Sequence, residues 1–99
     1  MNIKIQSIGF DADKKLITFI EKKVGKLFKV SEDIINAEIM LRLQPSKDEA
    51  NKVAEIKLEV PGNDLFAKKQ CKSFEEAVDN VAEALEKQLI KRKGKIRGI

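Results

Sequence analysis

Lys87, Lys91, Arg92, Lys93, Lys95 and Arg97 follow one another near the end of this 99-residue chain, and no carboxylate comes after Glu86. A second basic group, Lys22, Lys23, Lys26 and Lys29, lies in the first third. Cations at such density hold phosphate or carboxylate groups by charge. The residues for other chemistry are scarce. There is no His, Tyr or Trp, and the single Cys71 has none of the usual bases that would make it a nucleophile. The carboxylates show no paired metal-ligand spacing. The five glycines are isolated rather than gathered into a phosphate loop. These residues argue against an enzyme, a metal site or a cofactor, and Cys71 reads as a small apolar residue in a strand.

The positive charge is segregated. Residues 12–30 carry six lysines against Asp13 and Glu21, net +4, and residues 86–99 carry six bases against Glu86, net +5. The rest of the chain is net −5. Each basic segment has a plain structural explanation, as a complement to a helix dipole or as a solvated helix face. Their coincidence favours a binding surface. Phosphate contacts of this kind give affinity without reading sequence. Phe10, Phe28, Phe66 and Phe74 are assigned to the core or its edge, which leaves Phe19 as the only candidate for base stacking. That composition suits folded RNA recognised by shape and backbone better than a splayed single strand.

The elements that must position these bases follow from periodicity. "NIKIQ" alternates as a short strand. From residue 13 to 29 the period is helical, with Leu16, Ile20, Val24 and Leu27 on one stripe. Lys15, Lys22, Lys26 and Lys29 fall within roughly 60° of arc opposite it. "VSEDIIN" is a connection. "NAEIMLRLQ" is a strand with Ala37, Ile39, Leu41 and Leu43 inward, and "VAEIKLEV" another with Ala54, Ile56, Leu58 and Val60 inward. Their regular alternation predicts an antiparallel sheet with one wet face. "PGND" joins the second of them to "LFAKKQC" as a hairpin turn, and Lys69 must snorkel at the sheet's end. Ser73 and Glu76 form a capping-box pattern. Phe74, Val78, Val81, Ala82, Leu85 and Leu89 then make a second helical stripe, which Gly94 is expected to end. The order is β-α-β-β-β-α, a two-layer α+β domain with both helices on one face of a four-stranded sheet. The expected division is one domain over 1–93 and a short basic tail over 94–99. No apolar run reaches the ~20 residues of a membrane span. The N-terminus lacks signal-peptide order, and a lone cysteine fits a reducing cytosol.

Three stretches then resemble one family. "LITFIEKKVGKLFKV" is similar to the first helix of the ribosome hibernation-promoting factors, also called ribosome-associated inhibitor A or sigma-54 modulation proteins, in their short form. "VAEIKLEVPGNDLFAKK" resembles that family's third-strand, turn and fourth-strand hairpin. "SFEEAVDNVAEALEKQLIKRKGK" resembles its second helix, through the step Ala77, Val78, Asp79 and the ending Leu85, Gln88, Leu89, Lys91, Lys93. The resemblance implies a double-stranded-RNA-binding type of fold with an added first strand. It implies a cytoplasmic, non-enzymatic factor that is monomeric off the ribosome, with no membrane or small-molecule partner. Its partner would be the small ribosomal subunit and its RNA, bound in the decoding channel so that messenger and transfer RNA are blocked during stress or stationary phase. Carried over by position, Lys22, Lys23, Lys26 and Lys29 match the basic end of the first helix. Lys87, Lys91, Arg92 and Lys93 match that of the second, extended by Lys95 and Arg97. Ser73, Phe74 and Glu75 replace the Asp–Met–Tyr with which many relatives begin the second helix. The alternatives are a module binding an acidic protein partner, as the sigma-54 label implies, and a generic double-stranded RNA binder.

Overall fold

A computed structural model describes residues 2–96 of the chain, with side chains as far as residue 94. The elements are β1 (Asn2–Ile8), α1 (Lys14–Val30), β2 (Asn36–Leu43), β3 (Lys52–Glu59), β4 (Leu65–Cys71) and α2 (Phe74–Ile96). The expected order of elements is therefore observed.

Local chemistry sets the boundaries. Asp13 caps α1, its carboxylate accepting the Leu16 N–H at 2.8 Å. Leu16, Ile20, Val24 and Leu27 are the buried stripe of that helix. Ser31 ends it in an extended conformation, with its N–H donating to the Leu27 carbonyl at 3.2 Å. Ser73 starts α2, its hydroxyl accepting the Glu76 N–H at 3.1 Å. Gly62 turns the β3–β4 hairpin at a φ of 99°, a conformation that side chains with a Cβ disfavour.

The four strands lie in the order β1-β2-β3-β4. β2, β3 and β4 pair antiparallel, but β1 pairs β2 in parallel, with Ile3 opposite Ala37 and Ile5 opposite Ile39. This corrects the antiparallel expectation. A helix between two neighbouring strands carries the chain back to its starting end, so β1-α1-β2 must be parallel. One core then joins one sheet face to both helices. It contains Ile39, Leu41, Ile56 and Leu58 from the sheet, Ile20 and Val24 from α1, and Val78, Val81, Leu85 and Leu89 from α2. Burying each of these large side chains contributes about 1.5–3 kcal/mol. Phe10 stacks on Phe74 at 4.8 Å between ring centroids, closing the end where the helices begin.

Four details depart from expectation. Gly94 does not end α2, which continues to Ile96. A glycine inside a helix weakens it without breaking its hydrogen-bond ladder. Leu43 is exposed, because it is the last residue of β2 and no helix covers it. Phe66 is 53% exposed rather than part of the core. Leu65 points inward, so strict alternation turns its neighbour out. Val53 is fully buried although it lies on the outer face, between Arg42 and Gln70 of the flanking strands.

Candidate nucleic-acid interface

The strand directions place the two basic segments together. β1, β2 and β4 run one way and β3 the other. α1 leaves β1 and α2 leaves β4, so both helices return in the same direction and pack parallel against each other. Lys23 of α1 meets Asp79 of α2 at 2.8 Å. Further along, Leu27 and Val30 share a groove of about 600 Å³ with Ala82 and Ile90. The C-terminal ends of both helices thus lie at one end of the molecule. Lys29 of α1 and Lys93 of α2 line the same depression there, with Val30, Ser31, Glu32, Asp33 and Arg92, three cations against two carboxylates.

The ten bases expected to bind divide into groups. Lys22, Lys26 and Lys29 are exposed on α1. Lys91 is exposed on α2, where it stands one turn beyond Lys87 on the crest, and Lys93 is half-buried beside Lys29. None of these five has a carboxylate within ion-pair distance among the described residues. Three others are engaged. Lys23 pairs with Asp79, and its ammonium lies 5.5 Å from the Phe19 ring centroid. That contact covers the aromatic residue set aside for base stacking. Lys87 meets Glu83 one turn earlier at 3.5 Å, with both side chains well exposed. A pair of that kind is worth only about 0.3–0.5 kcal/mol and yields readily to a phosphate. Arg92 is the most committed. Its Nη1 donates to Asp33 Oδ2 at 2.8 Å and its Nη2 to the Pro61 carbonyl at 3.0 Å. Lys95 lies in α2 with its side chain beyond the described residues, and Arg97 lies outside them.

Asp33 also accepts a hydrogen bond from the Ser31 hydroxyl. That bond first, and the Arg92 guanidinium second, hold its carboxyl below the usual aspartate range. Ser31 is itself buried, so this carboxylate is tied to the end of α1 as well as to α2.

The groove between the helices is not uniformly positive. Lys23, Lys26 and Lys87 line it with Asp79, Glu83 and Glu86. Three cations against three carboxylates leave no net attraction for a phosphate along its length. The excess lies on the outer side of α1 and at the shared helix ends. Lys69 sits on the β4 edge beside Asn80, Glu83 and Lys87, snorkelling as expected.

The outer sheet face is different in kind. Arg42 meets Glu55 at 2.7 Å, and Lys68 reaches the same carboxylate at 3.8 Å. Lys57 lies between Glu38 at 3.5 Å and Asp64 at 3.9 Å. Phe66 stands opposite Lys57 in the β3–β4 register, and nothing in the sequence except strict strand alternation marked it as exposed.

Comparison with known proteins covers nearly the full length of the chain. The structure is similar to "Structure of an ribosomal subunit interface protein from Coxiella burnetii", with a TM-score of 0.83 and 24% identity over 95% of this chain and 99% of that one. It is also similar to the Thermus thermophilus Protein Y N-terminal domain, with a TM-score of 0.77 and 23% identity over 90% of this chain and 96% of the other. At these identities the likeness establishes the fold. No curated protein matches the sequence. The family model described as sigma 54 modulation protein / S30EA ribosomal protein matches residues 3–97, nearly the full length, and the chain belongs to that family.

Proposed function

We propose that this chain is a non-enzymatic, ribosome-associated factor that binds the small ribosomal subunit in the decoding channel and inhibits translation during stress or stationary phase. Membership of a family described as S30EA ribosomal proteins supports the ribosome as partner, and hence a cytoplasmic site of action. The similar Coxiella burnetii structure is described as a ribosomal subunit interface protein, which agrees with that partner. The observation that carries the mode of binding is the group Lys22, Lys26, Lys29, Lys91 and Lys93. Lys29 and Lys93 share a depression at the common end of two parallel helices, Lys26 and Lys22 lie about one and two turns earlier on α1, and none of the five has an internal ion-pair partner among the described residues.

The mechanism is occlusion. The lysines hold ribosomal RNA phosphates, and the bulk of the domain excludes messenger and transfer RNA. Glu83 and Glu86 repel phosphate from the inter-helix groove, so the RNA backbone crosses the helix ends rather than following the groove. Five phosphate contacts give a log K against log salt slope of about −3.5 to −4.5. Competition on purified small subunits tests this reading. Titrated protein should co-sediment with the subunit and displace bound transfer and messenger RNA. Simultaneous occupancy by protein and both RNAs would refute occlusion. Capture of a protein partner that survives nuclease treatment, without ribosomes, would favour the acidic-partner alternative that the family's sigma 54 description leaves standing.

A further inference from the structure

Arg92 sits in the middle of the basic run of α2, yet its surroundings differ from those of Lys91 and Lys93. Its side chain is only 16% exposed, and both terminal nitrogens are used within the fold. One holds Asp33 in the turn after α1, and the other holds the Pro61 carbonyl in the β3–β4 turn. Asp33 in turn accepts from Ser31, the buried residue that closes α1. A few residues on, the Ile35 N–H donates to the Glu59 carbonyl at 2.8 Å. The guanidinium therefore joins the last turns of α2 to two turns of the sheet side, the one that follows α1 and the one that follows β3.

The position along α2 explains the need. Among the described residues Leu89 is the last fully buried one of that helix, and Ile90 is already 58% exposed. Beyond Leu89 no core contact among the described residues holds the helix to the sheet. At ~1.5 Å per residue, Lys91 and Lys93 stand about 3–6 Å past that anchor. A lysine cannot replace Arg92 here, because the two acceptors lie on different segments and require two donors in a fixed fork. For Arg92 to reach a phosphate it would first have to surrender both acceptors.

We infer that Arg92 is a positioning residue rather than a phosphate ligand: with Asp33 and Ser31 it clamps the basic end of α2 beside that of α1. The inference rests on the ribosome-binding reading for its consequence, though not for the clamp itself. Three variants separate the possibilities. Arg92→Lys keeps the charge and loses the fork. Asp33→Asn loses the clamp while making the protein one unit more positive. Lys91→Ala removes a proposed phosphate contact and leaves the clamp intact.

Two readouts are taken on the full chain: amide hydrogen exchange of residues 90–94 in the free protein, and small-subunit affinity as a function of salt. Arg92→Lys and Asp33→Asn should each speed exchange by about tenfold, as local opening becomes easier. Both should weaken binding by about three- to tenfold with an unchanged salt slope, because a smaller fraction of the protein is competent. Lys91→Ala should leave exchange alone and make the slope shallower by about 0.7–0.9. Unchanged exchange in both clamp variants, or Asp33→Asn binding as tightly as the parent protein or more so, would overturn the inference. So would a shallower slope in Arg92→Lys. A parent protein that does not bind small subunits would refute the ribosome reading, while the exchange data would still decide whether the clamp exists.

Discussion

On the outer sheet face, Glu55 lies between Arg42 at 2.7 Å and Lys68 at 3.8 Å, and Lys57 between Glu38 and Asp64. On the helix side, Lys22, Lys26 and Lys29 line one face of α1 with no such partner among the described residues, and Lys91 and Lys93 continue the cluster on α2. Both surfaces are rich in charge, and the arrangement separates their roles. Charges that alternate in sign across neighbouring strands satisfy one another, keep the sheet face soluble and support strand register. Charges of one sign on neighbouring helix ends repel each other in the free protein. That repulsion is relieved when an anion arrives. On the proposed reading the helix ends are the binding surface and the sheet face a structural one.

The comparison breaks if the two surfaces respond alike to charge change. The largest effect should come from Lys26, Lys29, Lys91 and Lys93 reversed together to Glu, which should lower small-subunit affinity by at least about a hundredfold near physiological salt. Neutralising Lys57 and Lys68 together should change that affinity by less than about threefold, since rim charges outside the contact act only at long range. Equilibrium binding at fixed salt measures both. Stability should show the opposite order. Glu55→Ala leaves Arg42 and Lys68 without their shared carboxylate and should cost about 1–2 kcal/mol in denaturant unfolding. Lys26→Ala should stay within about 0.5 kcal/mol, as surface changes away from specific contacts do.

The smallest effect concerns acid. The Ser31 hydroxyl and the Arg92 guanidinium hold the Asp33 carboxyl below its ordinary range in the folded protein. Its contribution to stability is therefore complete above the unfolded aspartate value of about 3.9 and is lost as pH falls through the lowered folded value. Asp33→Asn should flatten the pH dependence of unfolding in that acidic window and leave it unchanged near neutrality. A variant whose acid profile matches the parent protein would remove Asp33 from the account.

What was legible in the sequence was local. Leu16, Ile20, Val24 and Leu27 announced the buried stripe of α1, and Ser73 with Glu76 announced the start of α2, because each signal repeats or closes within about one turn. The inward sets of β2 and β3 were readable from a period of two, with Leu43 the exception at a strand end. What was not legible depends on residues far apart. Arg92 meets Asp33 across 59 positions, and Lys23 meets Asp79 across the helix pair, so neither engagement leaves a mark in either segment. The parallel pairing of β1 with β2 was hidden for a related reason. Two inward isoleucines in β1 say which face is buried and nothing about strand direction. The basic residues could be located from sequence, but their division into free and engaged sets required the fold.

Lysine reactivity tests the central claim most directly. The protein would be modified with an amine-specific reagent, free and bound to small ribosomal subunits, and each position read by mass spectrometry. The account predicts protection on binding at Lys22, Lys26, Lys29, Lys91 and Lys93, and unchanged reactivity at Lys4, Lys57 and Lys68 on the opposite face. Protection of the sheet-face lysines with the helix-end lysines still reactive would contradict it.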